Sequence, residues 1–92
     1  MFNIRKKKLK KILDRRYEYS SLRDYLRNIT HKELHILAEE IIWKNYDGYN
    51  TEACLSKQKH YDYMDRDSKE FFIYENSSLL GLYQFFINIR SI

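Results

Sequence analysis

Residues 30–42 read Thr30-His31-Lys32-Glu33-Leu34-His35-Ile36-Leu37-Ala38-Glu39-Glu40-Ile41-Ile42. Thr30 and Glu33 have the T-x-x-E form of a capping box, in which the hydroxyl accepts from the N3 amide and the carboxylate reaches back to the N-cap amide. This predicts a helix that begins at His31. Leu34, Leu37, Ala38, Ile41 and Ile42 recur at helical spacing, so that helix carries an apolar stripe to bury. Asp47-Gly48-Tyr49-Asn50 then supplies the turn residues that end it.

Upstream, Leu22, Tyr25, Leu26 and Ile29 stand at i, i+3, i+4 and i+7, with Ser21 placed to cap them. A second, shorter helix is expected there. Further upstream, Phe2, Leu9, Ile12, Leu13 and Tyr17 fall near one side of a helix whose remaining positions are largely lysine and arginine, a basic amphipathic pattern.

Downstream of the turn the pattern loosens. Ala53, Cys54, Leu55, Tyr61 and Met64 form a ragged stripe, from which a helix over Thr51 to about Lys59 is expected. Residues 60–75 admit two structures. Tyr61 and Tyr63 alternate with polar residues, Asp65-Arg66-Asp67-Ser68 has turn composition, and Phe71-Phe72-Ile73-Tyr74 has strand composition, so a hairpin competes with a short helix. At the C-terminus Ser77, Gly81, Gln84, Asn88 and Ser91 share one narrow sector of a helical wheel. Helix is therefore expected, capped by Ser77 or Ser78, with a broad apolar arc that places it at the centre of the core.

The fold class is thus mainly α, a single small domain of about four to five helices. A short β-hairpin near residues 60–75 stays open, which would make the class α+β. Residues 1–19 form a basic amphipathic helix or arm, and residues 20–92 a compact helical body. With 92 residues the chain can bury one modest core without metal or disulfide staples. Its single cysteine, Cys54, has no partner for an internal bridge, which fits a reducing compartment. No apolar run is long enough to span a bilayer or to serve as a secretory signal after the basic start, so an integral membrane protein is not expected and the cytoplasm is the expected address.

Charge is distributed unevenly. Residues 1–16 hold eight basic side chains against Asp14, a local charge of +7, so the other 76 residues carry −3 of the total of +4. A basic arm on a faintly acidic body points to an anionic partner for the arm. Lys6, Lys7, Lys8, Lys10, Lys11, Arg15 and Arg16 are the residues that would neutralise phosphates of a nucleic acid or ribonucleoprotein.

Other constellations are weaker. The succession of two helices over residues 22–45 has helix-turn-helix order, but Glu33, Glu39 and Glu40 would face phosphates, so an αα-hairpin that builds the core is the better reading. Ile36 and Trp43 lie together away from the main stripe. They either seat the apolar side of the arm or, if exposed, form a contact for a protein partner. Tyr46, Tyr49, Tyr61 and Tyr63 fall in turn-like stretches where a ring could stack on a base. His31, His35 and Glu39 have i, i+4, i+8 spacing, with Cys54 and His60 as further donors, yet no second signature supports a metal site. Cys54 with His60 lacks any sign of an activating third group. Neither a metal nor a cofactor is expected, and no enzyme.

These features predict a non-enzymatic binding protein that engages nucleic acid or a nucleic-acid–protein complex through its basic helix, with a homodimer among the assemblies the body allows. Abundant Lys, Asn, Ile, Tyr and Phe, together with the absence of proline, indicate an AT-rich genome such as phages, plasmids and low-GC bacteria carry. In size, basicity and helical content the chain is similar to anti-CRISPR and other counter-defence proteins and to bacteriocin immunity proteins. No motif carries that likeness. It implies an alternative in which the protein is an inhibitor that occludes a host or defence protein. A peripheral membrane protein resting on anionic lipid is a third expectation.

Overall fold

The computed structural model describes residues 2–46 and 51–91, with the side chains of residues 6–45 and 52–88. Among these it contains six α-helices and no strand: α1 (Phe2–Asp14), α2 (Leu22–Asn28), α3 (His31–Tyr46), α4 (Thr51–Asp62), α5 (Arg66–Glu75) and α6 (Leu82–Ser91). Short 3-10 turns at Arg15–Glu18 and Ser77–Leu80 lead out of α1 and into α6.

The capping box forms as its residues dictate. The Glu33 amide donates to Thr30 Oγ1 at 3.1 Å, and the Thr30 amide donates to Glu33 Oε1 at 2.8 Å. Ser21 caps α2 by accepting from the Asp24 amide at 3.1 Å. The stripe of Leu34, Leu37, Ala38, Ile41 and Ile42 is wholly buried, and α3 packs against α1, α4 and α5. It is α3, rather than the C-terminal helix, that occupies the middle of the core. Only part of the predicted arc of α6 goes inside: Leu82 and Phe86 are buried, whereas Tyr83 is exposed. The turn predicted at Asp47-Gly48-Tyr49-Asn50 lies outside the described residues.

Residues 60–75 contain no hairpin, and the helix count exceeds the expected four to five. α4 continues to Asp62, and α5 starts after Asp65, whose carboxylate accepts from the Ser68 amide at 2.8 Å. Asp65-Arg66-Asp67-Ser68 is therefore an N-cap and first turn rather than a hairpin turn, since an aspartate that accepts from the amide three residues on nucleates a helix. Arg66 then pairs with Glu70 at i+4, with Nε 2.7 Å from Oε2. Of the strand-like run, only Ile73 is fully buried.

The ragged stripe of α4 has a polar explanation. Cys54 and Tyr61 are buried, and between them Gln58 Nε2 donates to Glu39 Oε1 on α3 at 2.9 Å. Nearby, His35 Nδ1 stands 3.6 Å from Asp62 Oδ1. Side-chain hydrogen bonding supplements a thin apolar seam. The C-terminal helix is not capped by Ser77 or Ser78: these lie in the 3-10 turn, where the buried Ser77 hydroxyl donates to the Tyr74 carbonyl at 2.8 Å. Gly81 follows in the left-handed region at φ 72°, a conformation that favours glycine. Its carbonyl accepts from the Phe85 amide and so opens α6.

Candidate nucleic-acid interface

The basic helix is built into the body. Ile12 is buried, and Leu9 and Leu13 pack half-buried on the same core. The Tyr25 hydroxyl donates to the Ile12 carbonyl at 2.7 Å. At 3.6 residues per turn, this apolar seam leaves Lys7, Lys10 and Lys11 on the far side and Lys6 and Lys8 on its flanks. All five lysines are exposed. Lys6 with Lys10 and Lys7 with Lys11 are i,i+4 like-charge pairs, which weaken an isolated helix by about 0.2–0.5 kcal/mol each. The first turn of α1 holds no acid to offset them, so tertiary docking is what maintains this charge density. An incoming polyanion would relieve it.

The two arginines of the predicted set are employed differently. Arg15 Nη1 donates to Glu33 Oε1 at 2.7 Å, and its Nε lies 3.5 Å from Glu18 Oε2. The hydrogen bond to Glu33 is the main cause that raises the Arg15 pKa above its ordinary value. Burial alone would push the Glu33 carboxyl up. Hydrogen bonds from the Thr30 amide, Arg15 and the Thr30 hydroxyl outweigh it and hold that carboxyl below its usual range. Arg16 is half-buried, its guanidinium 4.8 Å from the Phe85 ring centre and 5.1 Å from that of Tyr17. The structure thus separates the seven residues into five outward lysines and two arginines that bind the arm to the body.

Elsewhere the predicted candidates are dispersed. Ile36 is half-buried against the core, and Trp43 is also half-buried. Larger apolar exposure occurs on α5 and α6, at Phe71, Tyr74 and Tyr83. Periodicity reasoning missed Phe71 and Tyr74 because residues 60–75 are open to a strand reading, and Tyr83 because the whole apolar arc of the C-terminal helix is expected inside. Tyr61 is buried and Tyr63 is exposed, while Tyr49 and the side chain of Tyr46 lie outside the described residues. Cys54 is fully buried, its Sγ 4.0 Å from the Ile42 carbonyl, whereas His60 is exposed. His35 and Glu39 meet at 3.2 Å, but no group of three or more His, Cys, Asp or Glu among the described residues could hold a metal ion. Nor is any helix among them long and apolar enough to cross a membrane. The α2–α3 pair is not an αα-hairpin packed face to face: α2 lies against α5 and α6, while α3 packs on α1, α4 and α5, so both helices build the core through other partners.

Comparison with protein-family models, curated proteins and solved structures finds no match to this chain.

Proposed function

We propose that the protein is a non-enzymatic binding protein that holds nucleic acid, free or within a ribonucleoprotein, through the lysine face of α1. The observation that carries this reading is the docking of α1 by Leu9, Ile12 and Leu13, which leaves Lys6, Lys7, Lys8, Lys10 and Lys11 exposed together. A loose tail would have to be ordered on binding, at a cost in entropy, but this helix presents its charges already in place. Such a surface reads phosphates rather than bases, so the binding is independent of sequence and is driven by counterion release.

The test is fluorescence anisotropy of labelled oligonucleotides across a salt series. Engagement of all five lysines on duplex DNA gives a log–log salt slope of about −4.5, an affinity loss of about 500-fold between about 50 and 200 mM salt. Replacing the five lysines with glutamine abolishes this while preserving the fold. Deleting the arm is the poorer experiment, because Ile12 belongs to the core. Salt-independent binding, or binding unchanged by the lysine replacements, overturns the proposal. A protein partner that survives nuclease in a pull-down supports the inhibitor reading instead.

A further inference from the structure

A groove of about 620 Å³ runs between α2 and α5. Arg23 and Arg27 stand on its α2 wall with Asp24 between them, and Asp67, Phe71 and Tyr74 on its α5 wall. It continues past Tyr74 to Tyr83 on α6. Phe71 is 58% exposed, Tyr83 45% and Tyr74 40%. Three large aromatic side chains along one concavity, edged by arginines, have the composition of an interface core rather than of ordinary surface.

The charges on the two walls are opposite but do not meet. Glu70, also on the α5 wall, is occupied by Arg66. Arg23, Arg27 and Asp67 form no ion pair with another described residue. The surface therefore carries a net positive α2 wall, two arginines against Asp24, a negative α5 wall and an aromatic ridge beside a groove, all on one copy.

We propose that this groove receives α5 of a second copy of the same chain, forming a twofold dimer. When the Phe71 ridge of one copy enters the groove of the other, its Asp67 comes to lie along the Arg23 and Arg27 wall, and the twofold repeats both contacts in reverse. Each homodimer then contains two inserted aromatics and two sets of arginine–aspartate contacts. A foreign partner would have to supply acid, base and aromatic in the matching order, whereas a second copy already has them. The lysine face of α1 has no such complementarity to itself, so self-association through it would be repulsive.

Sedimentation equilibrium of the full chain tests the proposal, independently of any nucleic acid. A concentration-dependent species of twice the 11.4 kDa chain mass is expected. Phe71→Glu should leave only monomer, with unchanged helical circular dichroism because Phe71 is exposed. Asp67→Arg should weaken association at least about tenfold, as should Arg23→Glu combined with Arg27→Glu, since each desolvated like-charge contact at an interface carries a penalty of that order or more. Mixing those two charge-reversed proteins should restore the dimer, because in the mixed species every wall faces its opposite. That restoration decides the matter even if Phe71→Glu fails to fold. A chain that stays monomeric at about millimolar concentration, where a weak association worth about 4 kcal/mol would show, overturns the proposal. So does a dimer indifferent to all these changes, or a foreign protein that takes this face while the chain stays monomeric.

Discussion

The Tyr25 hydroxyl donates to the Ile12 carbonyl at 2.7 Å, tying the middle of α2 to the end of the lysine helix across thirteen residues of sequence. Ile12 belongs to the last turn of α1, where helical carbonyls lack an internal partner. Tyr25 is fully buried, with Tyr19 and Phe86 packed around its ring at centroid distances of 5.9 and 6.0 Å. Tyr25→Phe keeps the ring contacts and removes only the donor, so it should cost about 1–2 kcal/mol in urea unfolding and speed amide exchange in α1. Burial also raises the Tyr25 phenol above its ordinary value of 10.0. Stability from that group is fully present below pH 10 and is lost as pH rises toward the elevated folded value. The variant should accordingly show a shallower alkaline loss than the parent.

Glu33 makes acid stability specific to one site. Its folded pKa lies below the ordinary 4.5, so its contribution is present above about pH 4.5 and disappears as pH falls through the lowered folded value. Glu33→Gln retains an acceptor for the Thr30 amide and so keeps the capping box, losing the attraction to Arg15. Because Arg15 is 35% exposed, screening reduces that attraction to about 0.5–1 kcal/mol at neutral pH. Urea midpoints of the two proteins should converge on moving from pH 7 to pH 3. A constant gap across that range would show that the ion pair is not its source.

Lysines and arginines of the arm should behave oppositely when replaced. A single Lys7→Gln or Lys10→Gln should leave unfolding unaltered and reduce the magnitude of the salt slope for duplex binding by about 0.9. Arg15→Gln should instead lower stability by about 1 kcal/mol and scarcely change the slope, because its guanidinium is held by Glu33 and Glu18. Unfolding curves and anisotropy titrations on the same preparations separate the two groups. An Arg15→Gln slope reduced as much as that of a lysine variant would place Arg15 at the interface.

Features that depend on neighbours three or four residues away were legible in the sequence. Thr30 with Glu33, Ser21 with Asp24 and the stripe from Leu34 to Ile42 all declare themselves locally, through caps and periodicity. The segment left open between hairpin and helix turned on a chemical ambiguity, since Asp65 and Ser68 suit a turn as well as an N-cap. Phe71-Phe72-Ile73-Tyr74 favoured a strand by composition, but its residues serve a helix that buries one of them and exposes two. The division of the basic arm depends on more distant partners. Glu33 lies 18 residues beyond Arg15, and the ring of Phe85 comes from the last helix. No local pattern distinguishes Arg15 and Arg16 from the lysines before them.

Arg66 is the plainest case of a role set at long range, and it can be tested by geometry rather than charge. Its Nη2 donates to the carbonyls of Ile29 at 2.7 Å and Leu26 at 2.9 Å, while its Nε donates to Glu70 Oε2 at 2.7 Å. Nη2 has two hydrogens, so the Arg27 carbonyl at 3.3 Å is a secondary contact. The guanidinium thereby satisfies orphan carbonyls at the end of α2 and fastens them to the first turn of α5. A lysine can reach one of these acceptors but cannot bridge them as a planar fork does. Arg66→Ala should cost about 1–3 kcal/mol, because it strands part-buried carbonyls and leaves the Glu70 carboxylate without its partner. Arg66→Lys should recover less than half of that loss, with amide exchange in α2 faster than in the parent for both variants. If lysine restored full stability, charge alone would account for the contact, and the clasp on α2 would be incidental.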